Sequence, residues 1–193
     1  MNTPSVLVIT TSTMLFLMMS VHTLTGACVS GPLAAFGESV AHYMLLHQRA
    51  ERQVGRLQVT ERVQQIIDMS DALAAAIQEA RRSAREGDLF TAEIAEAIRG
   101  RIARALREAG YYPGDVVAAS REDVAEAAEY PVVNGRFPWS RGAPMWPVIL
   151  HVLPGLPEEL QYRVVDDDLI LIDVKANLVV DILRDAIAER SAD

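Results

Sequence analysis

Three hydrophobic patterns follow one another along the chain, and each predicts a different structure. Residues 1–37 carry no Asp, Glu, Lys or Arg and include a long apolar run, which is typical of a membrane segment. Residues 57–109 instead repeat apolar side chains every three or four positions, the period of an α-helix. The last pattern consists of short β-prone segments between polar turns, at 160–165, 169–174 and 178–183.

The helical region divides into two main predicted helices, at about 57–86 and 91–109, with a turn at Gly87. Apolar positions of the first helix alternate four and three residues apart, which is the spacing of a coiled coil. The stripe is wider than a two-stranded seam, so it favours a helical hairpin inside one chain, with Ile66 and Ile77 in its core. A helix-mediated dimer remains the alternative.

A proline-rich connector separates the helices from the β segments. Most of the nine prolines and both tryptophans fall within it, and a short helix from an N-cap at Ser120 to about Glu129 precedes them. Aromatic rings held between prolines can present a surface to a protein partner, although rings that fill the core are the commoner case. The candidate interaction residues are Phe137, Trp139 and Trp146.

Short turns between the β segments require antiparallel pairing. Alternation from Leu160 to Val165 predicts one face packed on helices and one wetter face, with a short terminal helix at 185–190. We therefore expect an α+β protein with an N-terminal membrane segment, a helical hairpin, a proline-rich connector and a small C-terminal antiparallel three-stranded meander. The corresponding boundaries are 1–36 for the export signal or anchor, 37–110, 111–159 and 160–193.

Charge and cysteine content exclude several classes of function. The net charge of -8 and pI near 5.0 are opposite to a nucleic-acid footprint, so no nucleic acid is expected as a partner. The single cysteine excludes a disulfide framework and a Cys-based zinc site. The common nucleophile, phosphate-loop and dinucleotide motifs do not occur, so the sequence predicts neither a catalytic residue nor a cofactor. His151, in an apolar run, is expected to be a core residue.

The segment Leu24-Thr25-Gly26-Ala27-Cys28 follows the apolar run and resembles a bacterial lipobox. The resemblance implies that Cys28 becomes the lipidated N-terminus after the signal is cleaved. The protein would then be attached to the cell membrane, with its body periplasmic or otherwise extracytoplasmic. An uncleaved anchor, which the basic residues at 49–56 favour, would leave the body in the cytoplasm, and a buried soluble helix is the third interpretation.

The segment Tyr162 to Asp173 also carries a resemblance. Its aromatic first strand, acidic turn and apolar second strand resemble the closing hairpin of small exported proteins related to the nickel and cobalt homeostasis family, and of uncharacterised bacterial relatives. That hairpin has a Gly-Asp turn, where this chain has Asp166 in place of the glycine. The resemblance implies an exported location and a small β module. The helical region carries no such match, so no metal-handling function is transferred.

The acidic turn allows a second interpretation of function. Asp166, Asp167 and Asp168 offer the oxygen ligands that calcium prefers, but the spacing lacks the glycine and the distal Glu of an EF-hand loop. We therefore predict no metal and interpret the chain as a non-catalytic envelope scaffold or interaction module. An envelope metal-binding protein or enzyme that uses the acidic hairpin is the alternative.

Overall fold

The fold is α+β, with helices packed on a small antiparallel sheet. The computed structural model describes residues 31–55, 63–121, 129–141 and 145–187. Cys28 and most of the predicted membrane segment lie outside these residues. None of the described helices is both long enough and apolar enough to cross a membrane. The elements are α1 (Pro32–Val54), α2 (Val63–Ala80), α3 (Ala92–Ala109), α4 (Pro113–Arg121), α5 (Pro147–Leu150), β1 (Leu160–Val165), β2 (Asp168–Asp173) and β3 (Leu178–Leu183).

Helix α1 is the central helix of the helical layer, because it packs against both α2 and α3. It begins with a proline in its first turn and ends at Gly55, whose φ of 89° few other residues adopt. The ring of Phe36 stacks on Phe90 with centroids 5.3 Å apart. The helical layer thus begins at Pro32, within the segment predicted as signal or anchor, and contains three helices rather than a hairpin.

The apolar stripe of α2 is buried over only half of its length. Leu73 and Ile77 are 1% and 0% exposed, and both belong to the main core. Ile66 and Ile67 are 42% and 46% exposed, because no described element covers the first turns of this helix. The expectation that Ile66 lies in the core is therefore wrong, whereas the expectation for Ile77 is confirmed.

The three strands form the predicted meander, in the order β1-β2-β3 with antiparallel pairing throughout. Tyr162 lies opposite Leu171, so their side chains share a face. Asp166 and Asn177, in the two turns, have φ of 55° and 49°. Asp and Asn tolerate this left-handed conformation better than most residues, so these two turns suit their sequence.

On β2 and β3 both faces are covered, whereas β1 keeps the predicted alternation between a face packed on helices and a wetter face, with Gln161 exposed and Arg163 half-buried. Leu169 and Leu171 point into the core shared with the helices, whereas Ile170 and Ile172 pack against Phe137 of the connector. Every residue of β2 is buried as a result. The connector reaches this face because its turn at 134–135 bonds to the backbone of Val179, over distances of 2.8 and 2.9 Å.

The expected N-cap at Ser120 is wrong, and most of the helix predicted after it lies outside the described residues. Ser120 lies in the last turn of α4, where its single hydroxyl hydrogen is shared between the carbonyl oxygens of Val117 at 2.7 Å and Asp166 at 3.0 Å. It therefore joins α4 to the β1–β2 turn rather than capping a helix N-terminus. Residues 184–187 form turns, and the remainder of the predicted terminal helix lies outside the described residues.

Candidate functional site

The most buried polar cluster of the described residues surrounds Asp173, at the end of β2. Its Oδ2 accepts a hydrogen bond from the Tyr43 hydroxyl at 2.8 Å and lies 2.5 Å from His47 Nδ1. Its Oδ1 accepts the backbone N–H groups of Lys175 at 3.1 Å and Ala176 at 2.9 Å. Asp173 and His47 are both fully buried. The cluster therefore fixes α1 to the sheet.

Protonation of His47 is favoured despite its burial. Burial lowers the pKa of the imidazole, but the hydrogen bond and charge of Asp173, together with Glu51 and Glu159, raise it above its usual value. Burial, reinforced by Asp173, raises the pKa of Tyr43 well above its usual value. Below the raised pKa of the imidazole, His47 and Asp173 form a buried ion pair beside a neutral tyrosine. His47 Nε2 has no hydrogen-bond partner among the described residues.

A second buried carboxylate, Asp181 on β3, holds the loop between α2 and α3. It accepts the backbone N–H groups of Gly87 at 2.9 Å, Leu89 at 2.7 Å and Phe90 at 2.7 Å. Burial raises the pKa of Asp181, and these bonds oppose the shift only in part. Asp181 therefore fixes this loop to the sheet, as Asp173 fixes α1 to the sheet.

The acidic turn is surrounded by arginines. Asp166 accepts from Arg121 Nε at 2.7 Å and Arg141 Nη2 at 3.2 Å. Partial burial raises the pKa of Asp166, but these two guanidinium groups lower it below its usual value overall. Arg184 donates to Asp168 at 2.8 Å. The neighbouring positive charges compete with any cation for the candidate metal ligands.

Three carboxylates in this region lie close enough together to hold a cation between them. Carboxylate oxygens of Asp167, Asp168 and Asp185 lie within 4.8 Å of one another. Besides the bond from Arg184, Asp168 accepts a hydrogen bond from the Tyr130 hydroxyl and one from the Asp185 backbone N–H, the latter at 2.8 Å. Two of the three predicted metal-ligand candidates, Asp167 and Asp168, thus come together, with Asp185 as a member that the sequence did not suggest.

The three candidate interaction residues lie in two different places. Phe137 is buried against the outer face of the sheet, and Trp139 meets it edge-on with centroids 5.3 Å apart. Trp139 is 47% exposed, and the guanidinium of Arg163 lies 5.3 Å from its ring. Trp146 is half-buried against the main core and meets Tyr111 edge-on at 5.1 Å. Of the three rings, Trp139 is the most accessible.

Two open grooves lie on the helical layer. One, of about 240 Å³, has Tyr43 on its wall together with His42, Arg81 and Asp88. The other, of about 280 Å³, is lined by side chains of α3 and by the segment after α5, namely Arg101, Arg104, Ala105, Glu108, His151 and Val152.

His151 is exposed in this second groove, which corrects the expectation of a core histidine. Helix α5 is only one turn long, and Ile149 is its buried residue. His151 comes two positions later and therefore lies on the outer side.

Sequence reasoning missed the cluster at Asp173. His42 and His47 are five residues apart, which argues against a shared helical face, and His47 alone gave no further signal. Its partner lies 126 residues away along the chain. Only the fold brings the two side chains together.

The chain was compared with protein families, with curated proteins and with solved structures. No family model, no curated protein and no solved structure matches the chain.

Proposed function

We propose that the protein is a membrane-anchored protein of the bacterial envelope whose body is a non-catalytic scaffold or interaction module. The anchor is the uncharged N-terminal segment, and lipidation at Cys28 is its means of attachment. Stable attachment takes more than one acyl chain, which a bacterial lipoprotein carries. The body is then held close to the membrane surface, on its periplasmic or extracytoplasmic side.

The observation that supports a scaffold role is how the buried ionisable groups are used. Asp173 and Asp181 are fully buried, and each bonds groups of the helical layer. A buried carboxylate with several donors stabilises the structure around it rather than facing a substrate. We infer that these groups keep the helices and the sheet rigid, so that function resides on the surface.

Trp139 supplies the proposed contact for a protein partner. Tryptophan and arginine are the residues that contribute most to protein interfaces. Here the half-exposed Trp139 ring rests on Phe137 and is flanked by Arg163, so it is already held in place before a partner binds. A fixed ring loses less conformational entropy on binding.

Fatty-acid labelling in cells tests the anchor. A labelled acyl chain should enter the wild type and not Cys28→Ser, and the variant should leave the membrane fraction. Equal labelling of both proteins, or of neither, would contradict lipidation at Cys28. A reporter fused after Asp193 would then show whether the body faces the cytoplasm, as the uncleaved anchor requires.

Calorimetry separates the scaffold from the metal-binding alternative, which the grouping of Asp167, Asp168 and Asp185 favours. Calcium, nickel and zinc should each give no heat of specific binding with the wild type, because arginines already pair with carboxylates of the acidic turn. Micromolar binding that Asp167→Asn abolishes would overturn the scaffold interpretation and assign the protein to metal handling.

A further inference from the structure

One exposed edge of the protein combines arginine, aromatic and aliphatic side chains in a way that the proposed scaffold role does not explain. It lies where the C-terminal half of α3 meets α5. We call it the α3–α5 edge and define it by Arg101, Arg104, Tyr111, Tyr112, Leu150 and His151. Tyr112 is 71% exposed and Leu150 is 52% exposed. Arg101, Arg104 and His151 of this edge line the groove of about 280 Å³.

The arginines of the α3–α5 edge differ from most arginines of the described body. Arg99 donates twice to the carbonyl oxygen of Arg184, and Arg184 itself bonds Glu86 and Asp168. Arg101 makes only a long 3.4 Å contact to the carbonyl oxygen of Val152. Arg104 forms no hydrogen bond or ion pair within the described ranges. Within the described residues neither guanidinium group forms an ion pair with a carboxylate, so both can bind an anion.

The charged side chains that line the groove at this edge are two arginines and one carboxylate, although the whole chain carries a net charge of -8. Arg101, Arg104 and Glu108 share one face of α3, since they are three and four positions apart. The face therefore offers two guanidinium groups beside one carboxylate. Guanidinium groups bind phosphate through paired N–H donors.

The apolar members of the edge indicate which anion is bound. Tyrosine and leucine next to arginine are typical of surfaces that lie at the boundary between lipid headgroups and acyl chains. A free phosphate or an acidic peptide would leave the exposed Tyr112 ring and Leu150 without a role. The proposed anchor also keeps a lipid surface within reach of this edge.

From these observations we infer that the α3–α5 edge binds the headgroups of anionic phospholipids. Arg101 and Arg104 contact phosphate oxygens, while Tyr112 and Leu150 rest at the headgroup boundary. The inference deepens the proposed function and rests on it for the nearby membrane. Because the rest of the acidic body is repelled by an anionic surface, this contact would also orient the body on the membrane.

Tryptophan quenching in vesicles tests the inference with the full chain. The Trp139→Phe variant leaves Trp146 as the only tryptophan, and Trp146 contacts Tyr111 of the edge. The protein is incorporated into vesicles of phosphatidylcholine alone, or of phosphatidylcholine with phosphatidylglycerol, each containing a brominated lipid. We expect strong quenching of Trp146 only with phosphatidylglycerol, and its loss at high salt, because salt screens exposed charges.

Charge reversal identifies the residues responsible. Arg101→Glu with Arg104→Glu should remove the quenching that depends on phosphatidylglycerol. The matched control is Arg49→Glu with Arg52→Glu, which makes the same charge change at exposed positions of α1 and should leave quenching intact. Equal quenching in both lipid mixtures, or quenching that survives the reversal at positions 101 and 104, would overturn the inference.

Flotation of the same vesicles keeps failure of the anchor distinct from failure of the edge. A protein that floats with both mixtures is anchored, and Trp146 then reports on the edge alone. If the protein does not float with phosphatidylcholine, the anchor proposal fails. In that case the α3–α5 edge should still bind the protein to phosphatidylglycerol vesicles at low salt. The absence of that binding would contradict the inference.

Discussion

The interface between helices and sheet and the α3–α5 edge use polar side chains in opposite ways. At the interface, Asp173 and Asp181 are fully buried and accept bonds from α1 and from the loop before α3. At the edge, Arg101 and Arg104 are exposed, and their charge is not neutralised by ion pairs within the described residues. Charged side chains therefore stabilise the fold at the interface between helices and sheet, whereas at the α3–α5 edge they are available to bind a partner.

Two isoleucines of α2 allow the largest test of this contrast. Ile77→Asp places a charge in the core and should cost about 4 kcal/mol or more in the free energy of unfolding, enough to unfold the helical layer. Ile66→Asp should cost less than about 1 kcal/mol, because Ile66 is 42% exposed. Chemical denaturation measures both values.

Light scattering on the same two variants tests the dimer alternative. If the wild type is a dimer that Ile66→Asp separates into folded monomers, the exposed half of the α2 stripe is a subunit interface. Similar stability losses in the two variants would show that the first turns of α2 are covered after all.

Asp181→Ala should give the next largest effect. The change leaves backbone N–H groups of Gly87, Leu89 and Phe90 without their acceptor, and we expect a loss of about 3 kcal/mol. Asp88→Ala is the matched control in the same loop, since Asp88 is exposed and should cost about 0.5 kcal/mol. Equal costs in thermal unfolding would show that Asp181 does not hold this loop.

The pair of His47 and Asp173 should make stability depend on pH. Because the pKa of His47 is raised in the folded protein, the folded state binds this proton more tightly than the unfolded chain does. The stabilisation is complete below the unfolded pKa of about 6.5 and is lost as pH rises through the folded pKa.

His47→Gln isolates that dependence. The variant should lose about 2 kcal/mol below pH 6, which is typical of a hydrogen bond to a charged group, and less at higher pH. Its unfolding free energy should also vary less than that of the wild type as pH rises above 6.5. His42→Gln, which changes an exposed histidine of the same helix, is the control. Identical pH profiles for the wild type and His47→Gln would contradict the buried ion pair.

Charge reversal at the α3–α5 edge should have the smallest effect on folding. Arg101→Glu with Arg104→Glu should change the unfolding free energy by about 0.5 kcal/mol or less, because neither guanidinium is part of the core. A loss of several kcal/mol in the same denaturation assay would mean that these arginines are structural, and would remove the contrast between the two regions.

The parts of the fold that could be predicted from sequence are those with a local signal. Alternation and short turns located the strands, and the observed β2 differs from the prediction by one residue at each end. Gly110, at the end of α3, has the left-handed φ of 74° that a helix-ending glycine adopts. Each of these features depends on residues close together in the chain.

The missed features depend on distant residues. The connector has no periodicity from which its cover over Ile170 and Ile172 could be inferred. Asp173 could not be matched with His47 because the two are 126 residues apart. His151 was assigned to the core from its apolar neighbours, whereas a one-turn helix places it outside. The role of Cys28 stays a prediction.

Hydrogen exchange of the full chain, with and without phosphatidylglycerol vesicles, tests most directly whether binding is confined to the exposed edge. Within the described residues, the account predicts that vesicles increase protection of backbone amides only at 101–112 and 147–152. The amides of Leu89 and Phe90, which bond Asp181, should exchange slowly and equally in both conditions. Unchanged protection at the α3–α5 edge would contradict this account. A change centred on α1 and on the loop that Asp181 holds would also contradict it.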